Sequence, residues 1–125
     1  MSTLAELVQA ILDPLTPGGA WYAVNTTEPL ALDSNGAVKP YIVWQEIVST
    51  DNVTLGGPTD MQNTRIQVDV YAPRIAVASS LTKAVDAALL ASALTVIPLS
   101  NQPVYEEPVR LWRRIRDYSI WHVES

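Results

Sequence analysis

The sequence predicts an α+β fold, a small antiparallel sheet with two helices packed on one face. Three observations predict it. Two stretches place apolar residues at helical spacing, one stretch alternates apolar and polar residues strictly, and β-branched runs bounded by turn residues lie between them. At 125 residues the chain has the length of one ordinary domain, so residues 1–125 are expected to share a single core.

The first helix is predicted from Leu4, Leu7, Val8, Ile11 and Leu12, which recur at i, i+3, i+4, i+7 and i+8. Ser2 or Thr3 can cap it, and Asp13-Pro14 ends it, because proline pushes the preceding residue out of the α region. PLTPGGA reads as a loop. A short strand is expected near Trp21–Val24, after which Pro29, the Ser34-Asn35-Gly36 turn and Pro40 break up the chain. YIVWQEIV, from Tyr41, is a strand by its β-branched and aromatic content. TRIQVDVYA is the alternating stretch, with Ile66, Val68 and Val70 on one face and Arg65, Gln67, Asp69 and Tyr71 on the other. Between these two strands an extended loop is expected at about 49–63. It is too long for an ordinary hairpin turn, and loops of that length usually serve function, here as a partner-binding arm.

Ala72-Pro73 closes the second strand and opens the second helix. Val77, Leu81, Ala84, Val85, Ala88 and Leu89 form its apolar stripe, with Ser79, Ser80, Lys83 and Asp86 expected to face away. TVIPL and PVYEEP are interrupted by proline and suit edge strands or connectors. The segment from Arg110 to Val123 is a long strand whose alternation changes parity, with Leu111 and Ile115 on one side and Tyr118 and Ile120 on the other. A β-bulge near Arg116-Asp117 would reconcile the two halves.

Several function classes are disfavoured. The net charge of −5 speaks against general nucleic-acid affinity, which needs a concentrated basic face. There is no cysteine, so thiolate metal sites and disulfides are out. No apolar run reaches the length of a membrane helix. The N-terminus carries Glu6 and no early positive charge, a poor match to a signal peptide, so a soluble cytoplasmic protein is expected. His122, the only histidine, has no nucleophile motif or ligand set around it, and neither a cofactor nor a metal is expected. Leu55-Gly56-Gly57-Pro58 lacks the lysine of a phosphate loop. Adjacent Glu106 and Glu107 point to opposite faces of a strand and cannot share a substrate.

What stands out is Arg110 followed by WRRIRDYSIWH, which holds four of the eight Lys/Arg residues and two of the four tryptophans. Arginine and tryptophan are enriched in protein interface hot spots. Interleaved with aromatics, arginines also bind single-stranded nucleic acid, so a nucleic-acid-binding module using Arg110–Arg116 is the alternative reading. The overall acidity favours a protein partner.

Taken in order, PYIVWQEIVSTDNVTLGGPTDMQNTRIQVDVYAP, the SSLTKAVDAALL helix and LWRRIRDYSIWH resemble the tail completion, or tail terminator, proteins of long-tailed bacteriophages and prophages. The resemblance covers roughly residues 4–123 and implies a structural, non-enzymatic α+β subunit. Such subunits assemble into a ring, commonly a hexamer, at the head-proximal end of the tail tube. The ring ends tube polymerisation and joins the tail to the head–tail connector or stopper protein. The implied partners are further copies of the chain, the tail tube protein and that connector, with DNA only as passing cargo. The implied location is the neck of the virion tail, after assembly in the bacterial host cytoplasm. Within this reading, Leu55, Gly56, Gly57, Pro58 and Asp60 of the arm and Glu106, Glu107, Arg110, Trp112, Arg113 and Arg114 are expected to face partners. Asp60, Glu106 or Glu107 would meet Arg110, Arg113 or Arg114 across subunits, setting register more than affinity.

Overall fold

A computed structural model describes residues 3–22, 38–54, 57–107 and 110–123. The fold is α+β. Helix α1 (Leu4–Leu12) is followed by a 3-10 turn at Asp13–Leu15 and by strand β1 (Ala20–Tyr22). Strands β2 (Tyr41–Thr54) and β3 (Gly57–Ala72) form a long hairpin. Helix α2 (Ile75–Ala91) leads into β4 (Thr95–Glu106) and β5 (Leu111–Val123). The five strands form one sheet in the order β1-β2-β3-β5-β4.

Local chemistry sets the boundaries of α1. Thr3 caps α1 in a reciprocal capping box, its hydroxyl accepting from the Glu6 N–H while the Glu6 carboxylate accepts from the Thr3 N–H. Pro14 then diverts the chain into the 3-10 turn. Two glycines make the return to the sheet possible. A Cβ on Gly18 would lie 2.6 Å from the Pro40 carbonyl oxygen, and Gly19 has φ of 76°. The Asp13 carboxylate fixes the entry to β1 by accepting from the Ala20 N–H at 3.0 Å.

The sheet is mixed, which corrects the antiparallel expectation. β1 runs parallel to β2, with Ala20 opposite Ile42 and Tyr22 opposite Trp44. A parallel neighbour needs a crossover of about a dozen residues or more, and residues 23–40 supply that length. The expected turn at Ser34-Asn35-Gly36 lies outside the described residues, as do Ser2 and the end of the strand expected at Trp21–Val24.

Residues 49–63, expected as an extended loop, are largely strand. The ladder continues outward through Thr50 opposite Asn63 and Asp51 opposite Gln62 and, after a register shift, to Val53 opposite Pro58 and Thr54 opposite Gly57. Thr and Val favour extended backbone, and pairing satisfies backbone groups that a loop would leave to water. The register shifts between Glu46 and Val48, so Ile47 is a bulged residue, and it is exposed.

The bulge expected within the last strand is also corrected. β5 pairs with β3 without interruption from Trp112 opposite Ala72 to Val123 opposite Met61. The register shift lies on the neighbouring strand, between Pro98 and Asn101 of β4, across from Asp117. Proline tolerates this place because β4 is a sheet edge.

One buried cluster holds the molecule together. It joins Val8 and Leu12 of α1 and Val85 and Leu89 of α2 to Ile42, Trp44, Ile66, Val68, Val70, Val96, Tyr118 and Ile120 of the sheet. Ile66, Val68 and Val70 are the alternating set read from the sequence, and all three are fully buried. In α2 the most buried positions are Ala78, Thr82, Val85 and Leu89. Thr82 can be buried because its hydroxyl donates to the Ala78 carbonyl at 2.8 Å.

Candidate assembly surfaces

The unbroken register of β5 divides its side chains between the two faces of the sheet. Trp112, Arg114, Arg116, Tyr118, Ile120 and His122 share one face, and Leu111, Arg113, Ile115, Asp117, Ser119 and Trp121 share the other. Arg116 reaches Asp86 of α2, with Nε donating at 3.1 Å and Nη2 at 3.3 Å. The Tyr118 hydroxyl donates to the same carboxylate, and burial above all, then that bond, pushes its pKa up. Asp86 therefore faces the sheet, not solvent as its place beside Lys83 suggested. It is the polar anchor between α2 and β5.

On the other face Arg113 is the centre of a charge cluster. It donates to Asp69 at 2.7 Å and to Glu106 at 3.0 Å, and lies 5.8 Å from the centroid of the Tyr71 ring. The Tyr71 ring stacks on that of Tyr41 at 4.9 Å. Asp69 is only 6 % exposed, and burial raises its pKa despite the opposing pull of Arg113. Gln67 donates two further hydrogen bonds to it. Arg65 and Asp117 add a looser pair at 3.7 Å. The arginines at 113 and 116 thus meet carboxylates of their own chain, including Glu106, one of the acids expected to meet a neighbour.

The remaining expected contact residues divide between the two ends of the sheet. Arg110 is exposed in the β4–β5 turn with φ of 54°, its N–H bonded to the exposed Glu107 carbonyl at 3.2 Å. Trp112 lies against Tyr105 with ring centroids 5.1 Å apart. Arg114 is half-buried, and its Nε has no hydrogen-bond partner among the described residues. Gly57, Pro58 and Asp60 lie at the outer end of β3, while Leu55 and Gly56 fall outside the described residues. Met61 and Ala72 mark opposite ends of the β3–β5 ladder, roughly 35 Å apart at about 3.3 Å per residue. One subunit therefore does not bring its arm and its arginines together.

The His122 Nε2 lies 2.9 Å from the Thr64 hydroxyl on the adjacent strand. Among the described residues no three His, Cys, Asp or Glu side chains are grouped to hold a metal ion, and no helix is long and apolar enough to cross a membrane.

A surface that the sequence did not announce lies between α1 and β1. Gln9 ties the two together, donating to the Ala20 carbonyl at 2.8 Å and accepting from the Trp44 indole at 2.8 Å. Beside it runs an open groove of about 900 Å³ lined by Ala5, Ala10, Pro17, Trp21, Tyr22 and Trp44 among others. Trp21 and Tyr22 are 42 % and 49 % exposed.

A family model described as tail completion protein gp17 matches residues 2–123. The chain belongs to this family. Its members have a structural, not a catalytic, role in phage tails, and membership places the chain in the virion tail. None of the curated proteins compared matches the chain. Membership points to contacts with other tail and head components.

Proposed function

We propose that the chain forms a ring, a hexamer by the family resemblance, at the head-proximal end of the tail tube. There it ends tube polymerisation and joins the tail to the head–tail connector. The observation that carries this reading is the family match across residues 2–123. Two features of the molecule support it. The β2–β3 hairpin projects well beyond the span of β1, as a segment reaching for a tube or connector subunit would. The face carrying Arg113 and Arg65 pairs its charges internally, which suits a surface past which DNA moves as cargo without being held. The single domain over residues 1–125 and assembly in the bacterial host cytoplasm belong to the same reading.

A joining assay tests it. Tailless heads and unterminated tails are mixed with the purified chain, and infectious particles are counted. Restored joining, with rings seen at the tube end by negative-stain microscopy, is the expected result. A chain that stays monomeric when tube ends are present, and restores no particles, sinks the reading.

A further inference from the structure

The strands at the two edges of the sheet differ in the surface they present. β4 carries no charged side chain from Thr95 to Tyr105, although edge strands are usually protected by charge. Its protection is two prolines, Pro98 and Pro103, and the bulge between Pro98 and Asn101. The result is an edge poor in backbone donors but rich in exposed apolar side chains, with Ile97 47 %, Leu99 46 % and Tyr105 42 % exposed. At the opposite edge, β1 and α1 frame the apolar groove with Trp21 and Tyr22 at its rim.

The two edges stand level. Following the ladders across the sheet, Ala20 lies opposite Ile42, then Val70, then Arg114, then Pro103. Tyr22 leads by the same route through Trp44, Val68 and Arg116 to Asn101. Leu99 and Tyr105 flank that level on β4. The strand directions also suit, since β4 runs antiparallel to β1 once the pairings are followed across the sheet. A rotation that carries one subunit onto its neighbour can set β4 of one beside β1 of the next without a change of height.

We propose that the α1–β1 groove receives the β4 edge of a second copy of this chain. The contact is heterologous, with one patch meeting a different patch, which is the kind of interface that closes into a ring. It is made by side chains, Leu99 entering beside Ala10, Trp21 and Tyr22. Pro98 and Pro103 keep it from becoming an open-ended strand ladder. The proposal rests on the ring reading given above and deepens it by naming the two surfaces.

The test uses the full chain and two substitutions at exposed positions, Ala10→Arg in the groove and Leu99→Arg on the β4 edge, both checked for native circular dichroism. Sedimentation of the unaltered chain, alone and with tube ends, tests the ring reading. The variants test the interface. Each alone is expected to sediment as a monomer under conditions where the unaltered chain forms rings. Mixed in equal amounts they are expected to form a dimer and stop, because only one intact groove and one intact edge are present per pair. Rings from either variant would overturn the proposal while leaving the ring reading standing. So would a mixture that stays monomeric, or loss of assembly in Leu99→Arg alone, which would mean that β4 pairs with β4. An unaltered chain that never forms rings would remove the reading beneath it.

Discussion

Tyr118 and Tyr41 carry the sheet's buried phenols, and their surroundings make a prediction about pH. Burial pushes the Tyr41 pKa up to about 12, with the neighbouring Tyr71 adding to it. Tyr118 is raised as well, by burial and by the Asp86 carboxylate that accepts its proton in a hydrogen bond. Both groups hold their protons more tightly when folded than when unfolded, where the ordinary value is 10.0. Their contribution to stability is therefore intact below that value and is lost as pH rises from 10 towards 12. Urea denaturation across this range, followed by far-ultraviolet circular dichroism, should show a level plateau and then a fall. Tyr118→Phe keeps the ring in the core and leaves Asp86 to Arg116, so it should cost about 1 kcal/mol near neutral pH. The same variant should show a shallower alkaline fall. An unchanged alkaline slope would mean that Tyr118 ionises freely in the folded chain.

At the scale of elements, the turn between β4 and β5 holds the one strained residue among those described. Arg110 has a positive φ, a conformation that costs a residue with a Cβ about 1–2 kcal/mol. The residue is exposed, and among the described residues its side chain makes no hydrogen bond or ion pair that would repay this. Arg110→Gly should therefore raise stability by about 0.5 kcal/mol, the relief of strain being partly offset by glycine's greater freedom when unfolded. Arg110→Val should lower it by about 1 kcal/mol, because branching at Cβ worsens the same clash. Thermal melts of the two variants decide the matter, and equal effects would remove the strain argument. The hairpin β2–β3 belongs to this scale too. Its ladder runs from Tyr41 opposite Tyr71 out to Thr54 opposite Gly57.

For the whole molecule, the distribution of charge matters more than its sum. The Arg110–Arg116 segment looks like a basic strip in a chain of net charge −5. Folding ties two of its four arginines to carboxylates, Arg113 to Asp69 and Glu106 on one face and Arg116 to Asp86 on the other, and leaves Arg110 exposed at the strand's start and Arg114 half-buried. A guanidinium already bonded to a carboxylate has little left for a phosphate, and counterion release scales with the phosphates that are neutralised. Arg110 and Arg114 alone can neutralise few phosphates in a chain of net charge −5, so fluorescence anisotropy with labelled single-stranded DNA at low ionic strength should show no binding. Affinity that rises steeply as salt is lowered would bring back the nucleic-acid reading.

Local spacing was enough to reveal much of this protein. The α1 stripe apart from Leu7, which is 41 % exposed, its Thr3 cap, the alternation of Ile66, Val68 and Val70, the edge character of the proline-bearing segment and the motif order that points to the tail completion family all depend on residues close together in the chain. Those patterns survive in any register, because helix and strand periods are properties of a few consecutive residues. The parallel entry of β1, the hairpin in place of a loop, the bulge on β4 instead of β5 and the inward turn of Asp86 were legible only in the folded chain. Each depends on which residue stands opposite which, across separations from 3 residues at Thr54 opposite Gly57 to 62 at Met61 opposite Val123. In the alanine-rich α2, a helix with several small residues offers more than one stripe to bury, and the pull of Tyr118 and Arg116 chooses among them. The groove beside β1 and the level apolar edge of β4 belong to the same class. Neither has a sequence motif, because each is made by elements that meet only when the sheet is complete.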